Sequence, residues 1–193
     1  MKKTRAILAV IMIMTAVFTL SVYRADGGSP SQTVEQDIEA FKHRIPENGI
    51  DEVFGLEILA AVSPEDMDLL SEKIGEFDYE ILKEKAEGDT ASVTVKVTTY
   101  EFGSEVQKVI RGIFFDGIFS AFSDSESIRK EEIAEILRER LGGLEKKKYS
   151  KKVEIDCRKE NGEWVSDLEN NERFLDAASG GVVSVIRKYE RYF

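Results

Sequence analysis

The chain has 193 residues, 33% of them charged, with a formal net charge of −10, one histidine, one cysteine and one tryptophan. An acidic balance of this size is repelled by nucleic acid and by anionic lipid head groups, which argues against a nucleic-acid partner. One His with one Cys cannot build a structural zinc site, a His-based catalytic pair or an internal disulfide, so no metal and no cofactor is expected.

Lys2, Lys3 and Arg5 precede an uncharged run from Ala6 to Val22. A basic start followed by an apolar core reads as an export signal. The run is longer than a usual signal core and barely reaches bilayer-spanning length, and Ala25-Asp26-Gly27 offers the small residues of a cleavage site. Residues 1–27 are therefore either a removed signal peptide or an N-terminal anchor that holds the membrane through residues 1–25. In the second case the basic side stays cytoplasmic. Either way the expected place of work is extracytoplasmic, secreted or anchored to the outer face of the cytoplasmic membrane. Lipid anchoring would need a Cys directly after the signal, and the only one is Cys157.

Residues 28–32 are a Gly/Ser/Pro spacer, and 33–193 suit a single domain. Thr33-Val34-Glu35-Gln36 has the form of a capping box, after which Val34, Ile38, Phe41 and Ile45 form one apolar stripe until Pro46 stops the helix. A second helix is predicted over Ile50 to Ala61. A third is capped by Ser63, opens on Pro64 and carries Met67, Leu70 and Ile74 inward.

Two extended runs, Phe77 to Ala86 and Ala91 to Phe102, flank Glu87-Gly88-Asp89-Thr90 and predict a long hairpin. After Gly103 the apolar period changes to helical through Phe122, and a charged helix from about Ser127 to Leu141 ends at Gly142-Gly143. Lys148 to Arg158 and Glu163 to Leu168 form a second hairpin around Asn161-Gly162. Within it Val153, Ile155 and Cys157 alternate with charged residues, so the thiol faces the core and reads as structural. A short helix from Glu172, a break at Gly180-Gly181 and a terminal helix close the chain.

This order is α+β: a curved antiparallel sheet of about four strands packed on helices. The signal, the helix after a Ser/Gly/Pro linker, the hairpin Tyr79 to Tyr100 and Asn161-Gly162-Glu163-Trp164-Val165 with the Asn171 to Gly181 tail resemble the NTF2-like or cystatin-like exported domains of unknown function in Gram-positive bacterial lipoproteins and membrane-anchored proteins. The resemblance implies a sheet wrapped on helices to form a cone with a pocket. Most such domains are not enzymes.

Two features have a functional reading beside a packing one. Tyr79, Tyr100, Phe102 and Trp164 fall on predicted strands and would line a ligand pocket in a cone, or simply pack the core. The segment Ile113 to Phe122 is apolar all round, so Phe115 and Phe119 are either buried or dock a partner. The functional expectation is an exported binding module that engages a protein partner or small ligand through the concave sheet face. The alternative is an envelope hydrolase or isomerase using a carboxylate such as Asp78 or Asp156 inside the cone.

Overall fold

The computed structural model describes residues 28–54, 64–122, 135 and 138–189, with the side chains of 51, 52, 64–67, 69 and 113–122 excepted. The signal or anchor, Ser63, the second helix beyond Phe54, most of the helix expected over 127–141 and the side chains of Phe115 and Phe119 lie outside the described residues. Among the described residues no helix is long and apolar enough to cross a membrane.

Helix α1, Pro30–Asn48, starts one turn earlier than expected. The capping box is built by Ser29 and Gln32: the Gln32 N–H donates to Ser29 Oγ at 3.3 Å, and the Ser29 N–H donates to Gln32 Oε1 at 3.0 Å. Pro30, whose fixed φ suits the first helical position, settles the start there. Thr33 is then an interior residue, buried on the core side. Nor does Pro46 end the helix. Its missing N–H costs one bond in the last turn, and the chain continues to Asn48 before Gly49, at φ 85°, turns it and donates to the Ile45 carbonyl. The apolar stripe is as expected, with Val34, Ile38, Phe41 and Ile45 all buried.

Helices α2, Ile50–Phe54, and α3, Pro64–Gly75, pack against α1. Strands β1, Asp78–Glu87, and β2, Thr90–Thr99, form the first hairpin; α4, Phe102–Phe122, follows. Residues 138–142 are helical. Strands β3, Tyr149–Glu160, and β4, Glu163–Ser166, form the second hairpin, and α5, Glu172–Ala178, and α6, Val182–Tyr189, end the described chain. The Asn161-Gly162 turn has positive φ at both residues (55° and 91°), the geometry that Asn-Gly tolerates and that matches strand twist.

The strands form one antiparallel sheet in the order β1-β2-β3-β4. Val93 pairs with Ile155, Val95 with Val153 and Ala91 with Cys157, so these side chains share one face. That face is buried by α1 and α5. At its centre Phe41 meets Phe54 and Phe174 edge-on, with ring centroids 5.6 and 5.2 Å away, and Phe77 lies 6.5 Å off. The fold is thus α+β with an antiparallel sheet packed on helices, as expected.

Three glycines bring the two ends of the fold together. The Gly103 N–H donates to the Gly180 carbonyl at 2.9 Å, joining the start of α4 to the α5–α6 turn. A Cβ on Gly103 would lie 2.6 Å from the backbone of Gly181, and Gly180 itself stands at φ +60°. Only glycine permits this approach.

Candidate functional site

The four aromatics expected to line a pocket do not share one. Tyr79 lies on β1 opposite Val97, half-buried, with its hydroxyl bonded to Glu39 of α1; burial, then that bond, push its pKa upward. Tyr100 follows β2 and is buried, donating from its hydroxyl to Glu76 Oε2 at 3.0 Å, and burial raises its pKa too. Lys73 and Lys147 bracket its ring, with Nζ atoms 5.0 and 5.9 Å from the centroid. Phe102 is fully buried, its ring 5.4 Å from that of Tyr100, and it opens α4 instead of extending β2 as expected. Trp164 pairs with Lys159, whose Nζ covers its ring at 5.0 Å.

Register separates this last residue from the others. Tyr100 follows Thr99, which pairs with Tyr149, whereas Lys159 bonds to Asp89 at the opposite end of β2. The structure therefore brings Tyr100 and Phe102 together and leaves Trp164 a strand length away. Four surface hollows of about 340 to about 500 Å³ have walls made of other residues.

The carboxylates named for acid-base chemistry stand elsewhere than expected. Asp78 is exposed, pairs in register with Thr98 and is bonded by Lys147 at 3.0 Å. Asp156 is also exposed, on the face of β3 opposite to Ile155 and Cys157. Neither is inside the helix-covered face, because side chains alternate along a strand and both neighbours of Asp156 already point inward. Cys157 is buried as expected, and burial pushes its thiol up to about 11, which leaves it protonated and inert at neutral pH. No group of three or more metal-ligating side chains is found among the described residues.

What the sheet does present is the face opposite to the one that α1 and α5 cover. Its residues fall in cross-strand rungs. Lys83, Thr94 and Glu154 form one rung, and Lys85, Ser92 and Asp156 the next. Half-buried hydroxyl residues therefore floor a trough with a lysine wall on β1 and a carboxylate wall on β3. The following rung, Glu87, Thr90 and Arg158, reverses the polarity. A hollow of about 500 Å³ covers the last two rungs.

The lysine wall exists because of an irregularity in β1. Ile81 pairs with Val95 and Lys83 with Thr94, leaving Leu82 as the extra residue of a β-bulge. Without it, simple alternation from Tyr79 and Ile81 would send Lys83 and Lys85 to the core face. Sequence reasoning missed the trough for that reason: it rests on a register shift, and Leu82, an exposed leucine between charged residues, is its faint signal.

No family model matches the chain, and no curated protein does. Among solved structures the chain is similar to YcdA, a candidate lipoprotein of Bacillus subtilis subsp. subtilis str. 168. Identity is 16% and the TM-score 0.38, over 80% of this chain and 48% of that one. The chain thus spans about half the length of that protein.

Proposed function

We propose that the protein is an extracytoplasmic binding module that engages a partner protein across the open face of its sheet, at the trough floored by Ser92 and Thr94. The observation that carries this reading is the arrangement of opposite charge on either side of that floor, Lys83 and Lys85 against Glu154 and Asp156. A partner segment carrying both signs of charge would meet complementary walls, and such complementarity sets orientation and suppresses wrong partners. The basic start and apolar run of residues 1–22 support export. The order of helices and hairpins supports an NTF2-like or cystatin-like kinship as part of the same proposal.

The binding surface is moved from the helix-covered face to the open one because Phe41, Phe54, Phe77 and Phe174 fill the interior. Asp78 and Asp156, the two carboxylates named as examples for the hydrolase or isomerase reading, are both exposed, which favours the binding reading.

The test is site-specific photo-crosslinking in cells producing the full chain, with the probe at Ser92 and, as a control, at Lys146, an exposed residue outside the trough. A defined adduct from Ser92, absent from Lys146 and lost when Lys83 and Lys85 are both changed to Glu, is the expected result. Equal adducts from both sites, or an adduct indifferent to the charge reversal, would overturn the reading.

A further inference from the structure

A second hollow lies on the opposite side of the molecule, between β3 and the two C-terminal helices, with a volume of about 470 Å³. Its charge runs against that of the chain. Lys151, Lys152, Arg173, Arg187 and Lys188 border it, with Glu172 and Asp176 as the only acidic wall residues among the described residues. Both acids are already engaged. Glu172 forms an ion pair with Arg187 at 2.5 Å, which joins α5 to α6 and lowers the Glu172 pKa. Asp176 accepts from the Ser184 N–H at 2.8 Å, capping α6, and from the Tyr149 hydroxyl at 3.2 Å.

Lys151, Arg173 and Lys188 have no carboxylate within ion-pair distance among the described residues. Register puts Lys151 on the helix side of the sheet, because it pairs with Val97, whereas Lys152 pairs with Lys96 on the open face. Two helices and one strand thus converge on a groove of ligand size three cations that, among the described residues, form no ion pair, in a protein of net charge −10. Like charges gathered in excess of their counter-charges repel one another, and an anion between them relieves that repulsion.

We propose that this groove is a binding site for a soluble phosphate-bearing anion. Phosphate oxygens are matched by the planar guanidinium fork of Arg173 and by the point charges of Lys151 and Lys188. A small soluble anion is favoured over a membrane surface because a broad anionic plane would also confront the acidic remainder of the protein, whereas a small ligand meets the groove alone. The proposal is independent of the trough on the other sheet face.

The experiment is calorimetric titration of the full-length protein in neutral detergent with sodium tripolyphosphate and with glycerol 3-phosphate. Co-sedimentation with phosphatidylcholine vesicles, with and without phosphatidylglycerol, runs in parallel. The double variant Arg173→Glu, Lys188→Glu should weaken tripolyphosphate binding by about tenfold or more, as expected for losing charge-assisted contacts. Lys146→Glu, an equal change of charge sign elsewhere, should leave it within about twofold, as expected for a screened distant charge. If the double reversal unfolds the protein, Arg173→Gln alone serves, with a smaller loss in the same direction. Absence of binding, equal loss in Lys146→Glu, or binding to anionic vesicles without binding to either soluble phosphate would each overturn the proposal.

Discussion

Gly88 and Gly180 have nearly the same backbone angle, φ +61° and +60°, in opposite surroundings, and this makes them a matched pair. A Cβ on Gly88 would meet nothing within 4 Å; one on Gly180 would lie closer than 3.0 Å to the Tyr100 carbonyl oxygen and 3.1 Å from the Phe102 ring. Gly88→Ala should therefore cost only the left-handed strain, about 1–2 kcal/mol. Gly180→Ala should add the displacement of a packed backbone, about 1–3 kcal/mol by analogy with overpacking, and weaken the Gly103 bond to the Gly180 carbonyl at about 1 kcal/mol. The expected loss is about 3–6 kcal/mol against about 1–2 for Gly88→Ala, by those same terms. Urea unfolding of the two variants, followed by the fluorescence of the buried Trp164, measures both losses on one scale. Equal losses would show that the glycine junction is not a tight contact, and the account of how α4 is held against the α5–α6 turn would be wrong.

Phe41→Ala should destabilise by about 3–5 kcal/mol, because Phe54 and Phe174 both lose an edge-on neighbour and the site cannot collapse around them; urea unfolding reads it. Glu105 is held below the usual carboxylate range first by its bond to Lys108, with Arg140 adding to it against the opposing effect of burial. A lowered folded pKa means stability that is present above the ordinary value of 4.5 and lost as pH falls through the folded one, so Glu105→Gln should flatten the acid limb of a stability profile. Cys157, raised from 9.0 to about 11, has the opposite sign: its share is intact below 9.0 and disappears as pH rises toward about 11. Iodoacetamide at pH 8 should leave the native thiol unmodified and label it in urea, as read by mass spectrometry.

The second hairpin was legible in the sequence because its signals were local and agreed with each other. Val153, Ile155 and Cys157 set the buried side of β3, and Asn161-Gly162 fixed the turn. The start of α1 was misread where two local signals competed. Ser29-Pro30 and Thr33 both offer a cap, and the proline at the first helical position decides for the earlier one. The assignment of Asp156 to an interior role conflicted with the alternation read from the same strand, which already sent even-numbered residues outward. The aromatic set shows a different limit. Tyr100, Phe102 and Trp164 are buried, but which buried residues adjoin one another depends on strand register, which no single segment contains.

Leu82 is the position where that dependence can be tested most directly. It is the unpaired residue of the bulge and is 38% exposed, so its removal forfeits little buried surface. If β1 were a regular strand, deleting one residue would turn everything after it to the other face, placing Lys83 and Lys85 against the core and exposing their partners. Because Leu82 is the extra residue, its deletion should join Ile81 directly to Lys83, keep the pairs Ile81 with Val95 and Lys83 with Thr94, and leave the lysine wall of the trough in place. The expected loss of stability is about 1 kcal/mol, typical of a surface change that leaves the core intact. A bulge and charged side chains also blunt the free edge of β1, so the deletion should increase self-association at high concentration, measured by light scattering. Loss of folding on deletion would mean that the strand is regular there, that Lys83 and Lys85 do not share a face with Ser92, and that the trough does not exist.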